Sequence, residues 1–154
     1  MLLYRRPTPG RYNTEIIYKS LGGIGGTNFL GGASPLTANA TTTFYLGSFH
    51  RVCAFLRFSV VALTVPVDAD GTILARLMVV ATDGTTRRQV SEDINLEALT
   101  AKASTKSDRK AGISDAANTL KVGETLEVDV VNNTASIDTQ PAQLVFTVEC
   151  ALIS

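Results

Sequence analysis

The chain has 154 residues, 45% of them hydrophobic and 18% charged, and its 14 basic and 14 acidic side chains balance to a formal net charge of zero. That length suits one domain, or a smaller compact domain carrying a long arm, and the composition excludes a disordered or fibrous protein. The charges are unevenly spread: residues 1–57 hold Arg5, Arg6, Arg11, Lys19, Arg51 and Arg57 against Glu15, whereas residues 111–154 hold six carboxylates against Lys121. A basic segment of this kind suits docking on an acidic neighbour.

The opening Met-Leu-Leu-Tyr-Arg-Arg-Pro puts two arginines and a proline where a secretion signal needs an apolar stretch, and no apolar run approaches membrane-spanning length. Neither a signal peptide nor a membrane partner is expected. Residues 1–40 contain three of the five prolines and seven of the twelve glycines without sustained periodicity, which predicts an extended Gly/Pro-rich arm ahead of a folded domain over residues 41–154. Within the arm, Thr14 to Lys19 fits one short strand. The glycines from Gly22 to Gly32 do not form a phosphate loop, because no Gly-Lys-Ser/Thr follows them and no helical pattern leads out.

From Thr41 onward, strand patterns alternate with turn residues. Thr42 to Leu46 is short and β-branched; Val52 to Val65 is long and ends at Pro66; Ile73, Ala75, Leu77, Val79 and Ala81 alternate with a second set over Thr72 to Ala81. Asp83-Gly84 is a two-residue hairpin signal, and Thr85 to Ser91 is the polar return strand. Residues 52–91 therefore read as a three-stranded meander. Residues 95–104 suggest a short helix, and Lys102 to Lys110 an exposed loop or edge. Leu126, Val128 and Val130 alternate with Glu127, Asp129 and Val131, placing those two carboxylates on a solvated face. After a turn at Asn132-Asn133-Thr134, Gln143 to Leu152 closes the fold. Short turns and no βαβ rhythm predict an all-β antiparallel sandwich, jelly-roll or immunoglobulin-like, with the extended N-terminal arm.

The reactive residues exclude familiar chemistry. His50 is the only imidazole, and Cys53 lies three strand positions away, hence on the opposite face. Parity places Cys150 with the core but groups Leu56, Phe58, Val60 and Ala62 together, leaving Cys53 outward, so two reduced thiols are expected. One histidine and two distant cysteines are no zinc set, and Asp68-Ala-Asp70-Gly71 has Val79 where a calcium loop needs its glutamate. No metal, cofactor or enzymatic activity is expected.

Arg5, Arg6 and Arg11 interleaved with Tyr4 and Tyr12 could hold phosphates and bases, but zero net charge and the lack of a nucleic-acid module count against that role. Nine of the ten aromatics fall at or before Phe58. Tyrosine and arginine are interface hot-spot residues, so Tyr4, Arg5, Arg6, Arg11, Tyr12, Tyr18 and Phe29 are the candidate partner-binding set.

Thr-Leu-Lys-Val-Gly-Glu-Thr-Leu-Glu-Val-Asp-Val-Val over residues 119–131, followed by Leu-Val-Phe-Thr-Val-Glu-Cys-Ala-Leu over 144–152, resembles the closing strands of β-sandwich proteins in tailed-bacteriophage virions. The extended arm before a sandwich is similar to head decoration (cement) proteins. The resemblance covers about residues 50–154 and carries over no individual site. It implies a protein made in the host cytoplasm and placed on the outer capsid surface, binding the major capsid protein, with a trimer or dimer as the homo-oligomer. Deleting residues 1–30 would then leave the sandwich folded and abolish capsid binding. The alternative is a tail-fibre or receptor/glycan-binding module that uses loops such as 104–112 or 132–140.

Overall fold

The computed structural model describes residues 14–21, 36–67, 70–139 and 142–153; for residues 14–21, 142 and 143 it describes the backbone. Among the described residues ten strands form: β1 (Thr14–Leu21), β2 (Ala40–Ser48), β3 (Cys53–Thr64), β4 (Ile73–Val80), β5 (Arg87–Gln89), β6 (Ile94–Asn95), β7 (Ser104–Asp108), β8 (Thr119–Leu120), β9 (Thr125–Asn132) and β10 (Ala142–Leu152). One helical turn, α1 (Asp115–Asn118), precedes β8, and the Ser114 side chain caps it by accepting from the Ala117 amide.

The strands make two antiparallel sheets. The first runs β1-β10-β3-β7, with β8 on the same side of β3 as β7; the second runs β2-β9-β4-β5, with β6 beside β5 on β4. The pairing is nested: β1 with β10, β2 with β9, β3 with β8 and β7, β4 with β6 and β5. A long antiparallel hairpin rolled into two layers gives this order, which is the jelly-roll winding and not the immunoglobulin one.

Period-two patterning explains why these segments are strands. Ile73, Ala75, Leu77 and Val79 are fully buried while Leu74, Arg76 and Met78 are half-buried; Leu144, Phe146, Val148 and Cys150 are the fully buried set of β10. Phe146 joins the layers. Its ring lies 6.0 Å from Phe58 in its own sheet and 5.9 Å from Phe44 across the core. The chain turns at Asp83-Gly84, but not in the expected two-residue loop: the Ala81 amide donates to the Thr86 carbonyl across a four-residue loop, only Gly84 of the pair has positive φ (+71°), and the Asp83 carboxylate accepts from the Thr85 and Thr86 amides.

Four further expectations are corrected. Residues 52–91 are no meander, since β3 pairs only in the first sheet and β4 only in the second; the chain crosses between layers after Thr64. Cys53 is fully buried and Leu56 is 42% exposed, the reverse of the expected parity. The cause is a bulge: opposite Glu149 and Cys150 stand Arg57 and Phe55, so one extra residue, Leu56, flips the strand's faces. Both cysteines are buried and neither forms a disulfide. Residues 95–104 form no helix; Ile94, Leu96 and Leu99 face the core from β6 and the turns after it, and the Glu97 carboxylate accepts from the Ile73 amide. Asp129, finally, is only 3% exposed rather than solvated.

Candidate interaction surfaces

The outer face of the first sheet is built in cross-strand rows. Val145, Val61 and Ser104 form one row, Thr147, Ser59 and Lys106 the next, and Glu149, Arg57 and Asp108 the third. Arg57 stands between two carboxylates and lies 3.5 Å from Asp108, but both side chains are well exposed, so the pair contributes little to stability. Leu56 and Leu63, each 42% exposed, put aliphatic surface at the two ends of β3. Of the seven residues expected to bind a partner, Tyr18 alone has a described position. Its backbone stands opposite Thr147, in the row of Ser59 and Lys106. Tyr4, Arg5, Arg6, Arg11, Tyr12 and Phe29 lie outside the described residues.

At the bulge the sheet edge is interrupted, because β8 pairs with Cys53 and Ala54 while β7 begins its pairing at Arg57. The Asn118 amide bridges the break by donating to the Phe55 carbonyl at 3.0 Å. A cleft of about 470 Å³ opens there, with Ala54, Leu56 and Ile153 as its apolar wall and the exposed Arg109–Asp115 ion pair (2.6 Å) on its rim. Sequence reading named the loop 104–112 but not Asn118 or Ile153. Nothing in the sequence marks where an edge strand will be broken.

The outer face of the second sheet carries an ordered charge network. Asp129 accepts from the Thr43 hydroxyl at 2.8 Å and from Arg87 at 2.6 Å, and Arg87 also reaches Glu127 at 2.9 Å. The hydrogen bond to Asp129, together with both carboxylate charges, raises the Arg87 pKa further and keeps it charged. Arg76 stands opposite Asp129 in register, and its buried Nε has no hydrogen-bond partner among the described residues. Tyr45, 52% exposed, and Met78 occupy the adjoining row with Glu127. Tyr, Met and Arg are side-chain types enriched at protein interfaces.

A second, bidentate ion pair closes one end of the sandwich. Both oxygens of buried Glu124 accept from Arg88, at 2.8 and 2.7 Å, and the Lys121 amide donates to the same carboxylate at 2.8 Å. Arg88 also donates to the Ala117 and Thr119 carbonyls, tying β5 to the α1–β8 segment. Burial alone would raise the Glu124 pKa; the bonds from Arg88 and Lys121 outweigh it and hold the carboxyl below its ordinary value.

These surfaces offer donors, acceptors and aliphatic area for binding. His50 is exposed while Cys53 is fully buried, so the two do not form a nucleophile–base pair. Among the described residues no three metal-ligating side chains cluster, and no helix is long and apolar enough to cross a membrane. No protein-family profile, curated protein or solved structure matches the chain.

Proposed function

We propose that the chain is a structural virion protein, a capsid decoration protein that binds the outer capsid surface and stabilises the head by bridging subunits of the major capsid protein. The observation that carries the reading is where the arm meets the sandwich. Thr14, the first residue of β1, stands opposite Ala151, which in turn stands opposite Ala54, beside exposed Leu56. Thr14, which Tyr4, Arg5, Arg6, Arg11 and Tyr12 precede by at most ten residues in sequence, therefore stands at the Leu56 end of the first sheet. Arm and sheet would form one continuous footprint.

Burial of such a footprint contributes about 25 cal/mol per Å² of apolar area before association costs, and many equivalent copies would together resist expansion and internal DNA pressure. Because residues 14–21 are a strand of the first sheet, the cut that isolates the arm falls after residue 13. The chain lacking residues 1–13 is expected to keep its β-rich circular dichroism and lose occupancy on capsids. Undiminished occupancy would refute the arm's role.

A second reading, a tail-fibre or receptor/glycan-binding module, draws on the cleft beside Arg109 and Asp115. It predicts that the isolated protein binds host cells, and that replacing Arg109 with alanine weakens that binding.

A further inference from the structure

The strand β1 is attached to the rest of the fold in an unusual way. Among the described residues it pairs with β10 alone, over eight register positions from Thr14↔Ala151 to Leu21↔Leu144. Beyond Leu21, the next described residue is buried Leu36, which leads into β2 on the other sheet. Fourteen residues, 22–35, separate them, and six are glycine. Connections in compact domains have a median of about 4–6 residues. Packed sheets lie only about 10 Å apart, whereas fourteen residues can span about 46–50 Å when extended. Fully extended, the connection would reach several times the spacing of packed sheets.

We infer that β1 is exchanged between copies, each chain seating its Thr14–Leu21 strand on the β10 edge of a neighbour. The β10 edge must be covered by something, because an open edge beside the fully buried Leu144, Phe146, Val148 and Cys150 is a template for indiscriminate pairing. A second copy of β1 covers it with the same backbone ladder and the same side chains as the chain's own, so exchange sacrifices no pairing. What differs is the connection. A flexible link of fourteen residues would hold β1 near its own β10 at an effective concentration on the order of millimolar, and a neighbour fixed alongside in an oligomer would offer a comparable concentration. Exchange of an identical element is a low-cost route to closed assemblies, reciprocal in a dimer and cyclic in a trimer.

The inference rests on the homo-oligomer that the resemblance to decoration proteins implies and supplies its contact, but it is independent of what surface the oligomer binds. Tyr18 and Thr147, opposite each other in register, allow a direct test. The full-length Tyr18→Cys chain, carrying a tag that changes its mass, is co-expressed with untagged, full-length Thr147→Cys chain, oxidised and run on a non-reducing gel. A tagged–untagged covalent pair is expected, and the double variant Y18C/T147C should yield species of two or more chains. A double variant that closes its bridge within one chain, with no tagged–untagged pair from the co-expressed single variants, overturns the exchange; so does the absence of any bridge. Wild-type binding to capsids, measured separately, keeps the two ideas apart. Binding without the mixed cross-link removes only the exchange, and the mixed cross-link without binding removes only the decoration role.

Discussion

Replacing Glu124 with glutamine tests whether the Arg88–Glu124 pair closes the end of the sandwich. The carboxylate takes two bonds from the guanidinium and one from the Lys121 amide, and its side chain is only 6% exposed. In the variant an NH₂ group faces the Arg88 donors, so at least one charge-assisted bond is lost and the guanidinium stays without a counter-charge. Breaking a fully buried pair costs about 3–5 kcal/mol. Arg88 keeps 25% exposure, and water offsets part of that loss. The expected destabilisation is therefore about 2–4 kcal/mol, a large share of the roughly 5–15 kcal/mol typical of a folded domain. Urea denaturation should give a lower midpoint with an unchanged slope, and adding Arg88→Gln should cost much less than the two single changes summed. A loss below about 0.5 kcal/mol, the level of an exposed pair, would refute the assignment.

Phe146→Ala should cost about 3–5 kcal/mol in the same assay, because it removes the ring that touches both Phe58 and Phe44; a loss under about 1 kcal/mol would mean that the layers pack independently of it. Gly71→Ala places a Cβ 2.7 Å from the Asn133 carbonyl oxygen and 2.9 Å from the Thr134 methyl, and should destabilise by about 1–3 kcal/mol, whereas Gly71→Ala with unchanged melting would show that the 71–73 and 132–134 segments separate readily. Acid should weaken the fold. The Thr86 hydroxyl and the Thr86 and Thr85 amides lower the Asp83 pKa from 3.8 to about 2, and the Glu124 pKa is lowered from 4.5. Both groups are bound more tightly as carboxylates in the folded state, so their contribution is complete above the unfolded values and fades as pH falls from about 4.5 towards 2. Thermal melts across that range should show the loss, with a shallower pH dependence in Glu124→Gln and in Asp83→Asn. Equal slopes in variant and parent would contradict it.

The fold was legible where a local rule decides it. Alternation located β4, β9 and β10, Asp83-Gly84 located their neighbouring hairpin, and short turns without a βαβ rhythm indicated antiparallel layers. What the residues did not disclose depends on non-local facts. The bulge at Leu56 reverses which side of β3 is inward, yet Leu56 looks like any core leucine in sequence. Leu96 and Leu99 have helical spacing, but Ile94 and Leu96 alternate and Glu97 is bound to the Ile73 amide, so contact with β4 overrides local propensity. Strand parity alone sets Asp129 on a solvated side. On the outer face it is shielded by Thr43 and Arg87, which come from strands distant in sequence. For the candidate surfaces, residue type suggested the arm and the register of Tyr18 fits one row of the first sheet. The broken edge capped by Asn118 has no sequence signal, since it arises from where two separate strands stop and start.

The decoration reading is tested most directly by co-sedimenting the purified full-length protein with capsids that lack it, with the oligomer's mass taken by light scattering. Saturable binding by a dimer or trimer, at a fixed ratio to the major capsid protein, is the expected result. A monomer that stays in the supernatant at every concentration, and binds cells or glycans instead, would contradict the account.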